Sequence, residues 1–311
     1  MALCCKYLHH SWRLSTVNAV VFFVILASLA ATTASQNVIT QECDWTGSGS
    51  SGASDREVTP IYLRCTQGRV NWKLPRGAIR VVLRLPSPVS SVAPFRACVR
   101  PLKGGGGATI WLEKGGSLKK MFREVRVQKG SPQSYKCAQS QNGQVVLFVD
   151  TVAGAPERDL SFLYHLEQLP LNGVYNPENE CKPCTMEEMA KAFCTSDFVA
   201  RAQIVRTYQN NVLQQTTLLV QVTKFLRSLQ DDPTLSDEEI ENVIPAPLDE
   251  NKVRLVIGQH CGARQGEGEF VFMARRKLGD LTLTCAPTLD EWIRVSRKLN
   301  RKDSTECILT V

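Results

Sequence analysis

Apolar positions recur with a period of two through the first half of the chain. Val70, Trp72 and Leu74 alternate with polar residues, and Phe162, Tyr164 and Leu166 repeat the spacing. Val81, Leu83 and Leu85 fall on one side of a strand, with Arg80 and Arg84 on the other. Such alternation predicts strands with one face buried. Asn142-Gly143 ahead of the apolar run Val145–Val149 predicts a hairpin turn, and Gly115-Gly116 marks another. No segment before Pro170 has a convincing helical period. Short strands with regular turns predict a β-sandwich. Gly104 to Gly107 reads as a loop; a phosphate cradle would need a following Lys-Ser/Thr and a helix start, and neither is present.

The pattern changes after Pro170. Thr185…Glu188, Ser236…Glu239 and Thr288…Glu291 are capping boxes, with a hydroxyl at the N-cap and a Glu three residues on. After Thr288, the residues Leu289, Trp292, Ile293 and Leu299 share one helical face. Strands are predicted at 198–208, 216–226, 252–258, 270–274 and 281–285. Five strands with helices at the ends predict a small closed barrel of the OB type. The segment from Gln230 to Leu248 carries Asp231, Asp232, Asp237, Glu238, Glu239 and Glu241 and reads as an exposed acidic excursion holding one short helix.

The N-terminus sets the compartment. Lys6 and Arg13 precede an apolar run from Ala19 to Ala31, and the small residues Thr32-Thr33-Ala34-Ser35 follow. This predicts a secretory signal peptide over residues 1–35, cut after Ala34 or Ser35. The run is short of the roughly 20 apolar residues a bilayer span needs, and no second long one exists. No membrane insertion is therefore expected after signal cleavage.

Of the 12 cysteines, Cys4 and Cys5 lie in that leader. The remainder form two even groups: Cys43, Cys65, Cys98 and Cys137, then Cys181, Cys184, Cys194, Cys261, Cys285 and Cys307. Between them runs Leu169-Pro170-Leu171-Asn172-Gly173-Val174-Tyr175-Asn176-Pro177, rich in turn-formers. Each group can close its own structural disulfides in an exported chain. Spacing leaves about 3 pairings open in the first group and about 15 in the second. The expected domains are 36–170 and 171–311. They differ in charge: 18 Lys+Arg against 10 Asp+Glu in the first, 17 against 20 in the second.

Catalytic groupings are thin. Outside the leader the histidines are His165, on a predicted strand, and His260, beside Cys261. No Gly-x-Ser-x-Gly elbow is present. Cys181-Lys-Pro-Cys184 would suggest zinc or redox chemistry inside a cell, with His260 and Cys261 as further ligands. Export favours disulfides instead. No enzyme activity, metal or cofactor is expected. Arg80, Arg84, Lys119, Lys120, Arg123 and Arg126 are candidate contacts for sulfated glycans, with ordinary surface charge as the plain alternative. Arg294, Arg297, Lys298, Arg301 and Lys302 form a second basic cluster. Nucleic acid is disfavoured by secretion.

Several motifs resemble one family. Cys43-Asp-Trp45-Thr-Gly-Ser-Gly49 looks like the opening of the mature meteorin chain. Cys181-x-x-Cys184-x9-Cys194-Thr-Ser-Asp197-Phe198-Val199 looks like that family's second-domain signature, and Phe270-Val-Phe-Met273 and Leu281-x-Leu-x-Cys285-Ala-Pro287 extend it. Within the family the chain is closer to an invertebrate meteorin-like member. The resemblance implies a mainly β protein, a CUB-like β-sandwich followed by a netrin-type, OB-like β-barrel with flanking helices. It implies the pairs Cys43–Cys65, Cys98–Cys137, Cys181–Cys261, Cys184–Cys285 and Cys194–Cys307. It also implies a secreted signalling factor acting through a cell-surface receptor, with roles in glial differentiation, neurogenesis, axon extension and hormone-like crosstalk. The alternatives are a matrix or glycan-binding module and a metalloproteinase inhibitor. Tissue inhibitors of metalloproteinases carry a stretch similar to Ala192-Phe193-Cys194-Thr195-Ser196-Asp197, but they need a free N-terminal Cys amine. Cys181 is internal and lacks one, which disfavours inhibition. Many CUB domains hold calcium; Asp150 and Asp159 lie near the expected closing strands, the full acidic set is not legible, and calcium stays open.

Overall fold

The computed structural model describes residues 43–49, 58–86, 93–102, 107–123, 134–151, 159–170, 172–228, 251–302 and 305–311. The expected signal peptide, Gly104 to Gly106, Arg126 and the acidic excursion lie outside these residues. The protein is mainly β.

Strands β1 (Trp45–Ser48), β2 (Val58–Leu63), β3 (Gln67–Lys73), β4 (Ala78–Leu83), β5 (Phe95–Pro101), β6 (Ala108–Lys114), β7 (Ser117–Phe122), β8 (Lys136–Gln139), β9 (Val145–Thr151) and β10 (Leu160–Gln168) make two five-stranded sheets. Sheet I runs β1-β3-β10-β5-β8 and sheet II runs β2-β4-β9-β6-β7. One buried cluster joins them: Val70, Trp72, Phe95, Phe162 and Tyr164 of sheet I meet Ile61, Ile79, Val81, Ile110 and Leu147 of sheet II. The period-two residues of the sequence therefore form the inner faces. Leu74 departs from that pattern: β3 ends at Lys73, and Leu74 turns at φ 43 with 40% of its surface exposed, its N–H donating to Asp159.

Asn142-Gly143 forms a turn with both residues at positive φ, bridged by Gln141 and Gln144. Its two strands part at once, β8 to sheet I and β9 to sheet II. The turn chemistry is local, while the choice of sheet is made by distant partners. The outer strands of sheet II are guarded against further pairing: β2 carries Pro60, and β7 carries Lys119 and Lys120.

Past a 3-10 turn at Pro177–Cys181 comes helix α1 (Met186–Thr195), opened by a complete capping box between Thr185 and Glu188. Strands β11 (Phe198–Asn210), β12 (Gln215–Ser228), β13 (Lys252–Gly258), β14 (Phe270–Lys277) and β15 (Asp280–Cys285) close a barrel in the order β11-β12-β13-β15-β14. Register shifts between β11 and β12 bend these long strands round the closure. Helix α2 (Leu289–Asn300) follows, with Thr288 accepting from the Glu291 N–H. Its buried residues are Trp292, Val295, Ser296 and Leu299; Ile293 is only half-buried.

Both faces of the first part of β14 are covered, which accounts for its apolar run from Phe270 to Ala274. Phe272 and Ala274 join Phe198, Leu218, Val220 and Leu255 in the barrel interior. Val271 and Met273 face outward into a second cluster with Phe193 of α1 and Trp292 of α2. The Phe193 and Trp292 rings stack at 4.9 Å, and Trp292 Nε1 donates to the Thr310 carbonyl.

Among the described residues there are five disulfides: Cys43–Cys65, Cys98–Cys137, Cys181–Cys261, Cys184–Cys285 and Cys194–Cys307. Each lies within the sandwich or within the barrel with its helices.

Candidate functional site

Three places gather chemistry-bearing side chains: the outer face of sheet II, the seam between sheet I and the barrel, and the surroundings of Cys181.

On sheet II, register aligns Pro60, Arg80, Phe148, Trp111 and Lys120 across the five strands, with Tyr62, Val82, Val146, Glu113 and Leu118 in the next row. Tyr62 is 63% exposed and Leu118 48%. Arg80 reaches across β9 to Glu113 through two hydrogen bonds of 2.8 and 2.9 Å. That pair holds the Glu113 carboxyl below its usual pKa range. Trp111 Nε1 donates to Asp150 at 2.9 Å, and the Lys120 ammonium sits 4.7 Å from the Trp111 ring centroid. The result is a sheet face whose middle is covered, at Val82 and Val146, and whose exposed apolar groups are Tyr62 and Leu118 on the two edge strands.

Of the six cations singled out from the sequence, Arg126 lies outside the described residues and the other five have different surroundings. Arg80 is committed to Glu113, Arg84 donates to Gln144, and Lys120 stacks on Trp111. Lys119 alternates with Lys120 along β7 and so takes the opposite side of the edge strand. Arg123 is exposed just beyond β7. Tyr62, Trp111 and Phe148 were missed from sequence. The alternation of Val58, Pro60 and Tyr62 against Ile61 and Leu63 could have marked Tyr62, but the row itself depends on non-local pairing.

The seam lies against β5 and β10 on the outer face of sheet I. Cys98, Leu102 and Leu163 pack with Leu278, which sits at the tip of the β14–β15 hairpin. Leu278 has φ 51 and Gly279 φ 90. A Leu in the left-handed region is disfavoured; here the apolar contact with sheet I offsets that cost. Arg100 donates to the Leu278 carbonyl at 2.8 Å and to Asp280 at 2.6 Å, and Lys277 lies 3.7 Å from Glu167. Arg96 binds Glu167 and Glu180 and lies 3.4 Å over the Tyr175 ring, while the Tyr175 hydroxyl donates to Glu180. The turn-rich connection between the two cysteine groups is thus fastened to sheet I.

His165 lies on this outer face between Leu163 and Glu167. Burial, then Lys277, push its pKa down to about 4; Arg96 and Arg275 act the same way and Glu167 opposes them. It is a neutral seam residue.

Around Cys181, donor atoms of Cys181, His260 and Cys261 lie within 4.8 Å of one another. Cys181 and Cys261 are disulfide-bonded, so neither sulfur is a thiolate ligand. His260 Nε2 is 3.0 Å from the Pro177 carbonyl. Asp150 and Asp159 serve Trp111 and the Leu74 N–H respectively. Among the described residues, no helix is long and apolar enough to cross a membrane.

Fold and contacts define a disulfide-stapled protein in which a β-sandwich is fastened to a helix-flanked β-barrel. The chain belongs to the meteorin family. A family model described as the Meteorin-like protein N-terminal domain matches residues 45–170, and one described as the Meteorin C-terminal domain matches residues 183–299. Meteorin-like protein of Rattus norvegicus is 32% identical over 277 residues, covering 85% of this chain and 82% of the relative. Meteorin of Homo sapiens is 28% identical over 293 residues, covering 89% of this chain and 92% of the relative. Among solved structures, the pre-peptidase C-terminal domain of Bacillus anthracis collagenase matches 37% of this chain and 99% of its own at 13% identity and a TM-score of 0.23.

Proposed function

We propose that this protein is a secreted signalling ligand that acts without catalysis and presents the outer face of sheet II to a cell-surface receptor. Family membership supports the ligand reading, with neurotrophic, glial-differentiation or hormone-like action as its form. The sandwich is read as CUB-like and the barrel as netrin-type. The observation that carries the choice of face is the exposed Tyr62 on edge strand β2, on the same face of the sheet as Phe148 and Trp111 further in. Aromatic anchors among fixed polar groups are the usual makeup of an interface centre. Arg80–Glu113 and Trp111–Asp150 hold this face in shape before binding, which lowers the ordering cost of association.

The test uses the full secreted chain, fluorescently labelled, on glial and neuronal progenitor cultures. Tyr62→Arg places a charge at the exposed edge of this face and replaces no core residue. Its saturable binding should fall at least tenfold while its melting temperature matches the parent. Unchanged binding would move the receptor contact elsewhere. The protease-inhibitor reading needs a free α-amine at Cys181, and Cys181 ends the 3-10 turn Pro177–Cys181, where its nitrogen is a peptide nitrogen.

A further inference from the structure

We propose that the exposed face of α2 binds the sulfated chains of extracellular polysaccharides. Arg294, Arg297, Lys298, Arg301 and Lys302 are all exposed. Their spacing of three, four, seven and eight residues from Arg294 puts them on one stripe of a helix. Helical geometry continues past Asn300, because the Arg301 N–H donates to Arg297 and the Lys302 N–H to Leu299. The stripe is about 12 Å long at 1.5 Å per residue.

No carboxylate is paired with any of these five cations among the described residues. Among the described residues, Arg294 Nε meets the Asp290 carbonyl at 3.4 Å and Lys298 the Met186 sulfur at 3.8 Å. The contrast with the sandwich is direct: there Arg80 would have to leave Glu113, and Lys120 the Trp111 ring, before meeting an anion. Cations near the end of a helix complement its dipole. That accounts for the last turn but not for Arg294 in the middle of α2. The five also stand out within a C-terminal half that carries 17 Lys+Arg against 20 Asp+Glu.

The platform is rigid. Trp292 on the buried side bonds to Thr310, Asn300 exchanges hydrogen bonds with Leu309, and Cys194–Cys307 ties the tail to α1. Three of the cations are arginines, whose planar forks engage the oxygens of tetrahedral anions in pairs. A lipid surface fits less well, since the apolar side of α2 is already buried and has nothing to insert. Five disulfides point to the compartment where sulfated polysaccharides occur. The inference stands apart from the receptor reading, which concerns the other domain.

The experiment elutes the full secreted chain with sodium chloride from immobilised heparin and, in parallel, from a sulfonate cation exchanger. The parent should leave heparin well above physiological salt and later than it leaves the exchanger. The combined variant Arg294→Gln, Arg297→Gln, Lys298→Gln, Arg301→Gln, Lys302→Gln should lose that retention. The combined variant Lys119→Gln, Lys120→Gln, Arg123→Gln should keep it. A heparin hexasaccharide should also shield Lys298 and Lys302 of the unaltered protein from acetylation while leaving Lys119 reactive, a readout that needs no variant to fold. The proposal is overturned if the α2 variant elutes with the parent, or if both resins release the parent together. It is equally overturned if phosphatidylserine vesicles hold the parent while heparin does not.

Discussion

In the sandwich one buried cluster runs through both sheets, and the two disulfides close loops of only 22 and 39 residues. In the barrel the apolar residues divide into an interior cluster and a helix-facing one, and the three disulfides span 80, 101 and 113 residues. The positions differ as well. Cys98–Cys137 joins residues already opposite each other in register on β5 and β8. Cys184–Cys285 and Cys194–Cys307 instead hold both ends of α1 and the C-terminal tail against the barrel. Where a single core binds the layers, cross-links pin what is already paired. Where the core is split, they fix how its layers meet. Chain-entropy arithmetic gives about 3.5–4 kcal/mol for each sandwich bridge and about 4.5–5 kcal/mol for each barrel bridge.

The largest test of that contrast is removal of one bridge from each side. Cys194→Ala with Cys307→Ala should lose about 5 kcal/mol and fail to reach the medium at 37 °C. Cys43→Ala with Cys65→Ala should lose about 3.5 kcal/mol and still secrete a folded chain. Secretion yield and thermal unfolding without reductant provide the measurement. Equal losses in the two variants would erase the contrast.

The seam that joins the two regions should be sensitive to acid. His165 titrates near 4 in the folded protein against an ordinary 6.5, so between those values the unfolded chain binds more protons than the folded one. Stability therefore falls as pH falls through that window. Arg96, Arg275 and Lys277 resist the added charge and Glu167 favours it. Glu167 is itself held below its ordinary pKa: burial pushes it upward, but Lys277 and Arg96 outweigh that. Its contribution is also lost on acidification. The His165 share should be about 2–3 kcal/mol between pH 7 and pH 4. His165→Gln should flatten the dependence of melting temperature on pH across this range. A slope as steep as the parent's would mean that other groups open the seam.

A smaller effect separates packing from backbone strain at the same seam. Leu278→Ala keeps the left-handed backbone and loses the contacts with Leu102 and Leu163, at a cost of about 2 kcal/mol. Leu278→Asn loses the same contacts but accepts that backbone more readily, so it should cost less. Urea unfolding of the three proteins measures both. If Asn is the worse of the two, turn strain is not what the seam offsets.

The inner faces of the sandwich were legible because alternation survives in Val70, Trp72, Val81, Leu83, Phe162 and Tyr164 whatever their partners. The barrel strands were legible for a related reason: Lys252–Gly258 is rich in β-branched residues, and β14 opens with the apolar run Phe270–Ala274 because both its faces are covered there. Partnership was not legible. Nothing local sends β8 and β9 to different sheets, or aligns Arg80, Phe148, Trp111 and Lys120 in one row. The basic residues of the sandwich looked equivalent as letters. Register and ion pairing separate them, whereas the α2 stripe needed only the helical period. Leu278-Gly279 gave no signal, since a Leu at a left-handed position is explained only by what it touches across the seam.

The smallest predicted effect compares the two helix starts that frame the barrel. Thr185 and Glu188 cap reciprocally: the Glu188 N–H donates to the Thr185 hydroxyl, and the Thr185 N–H donates to Glu188. At Thr288 the hydroxyl accepts from Glu291 and no return bond is made among the described residues. Thr185→Ala should therefore cost about 1–1.5 kcal/mol and Thr288→Ala about 0.5–1 kcal/mol. α2 also has Trp292 anchored in the core and its own hydrogen bonds to Leu309 and Thr310, so it relies less on its first turn. Amide exchange in the first turn of each helix reads this directly: opening should increase more in Thr185→Ala than in Thr288→Ala. The reverse order would mean that α1 is held by Cys184 and Cys194 alone, and that its cap adds little to the covalent ties at its two ends.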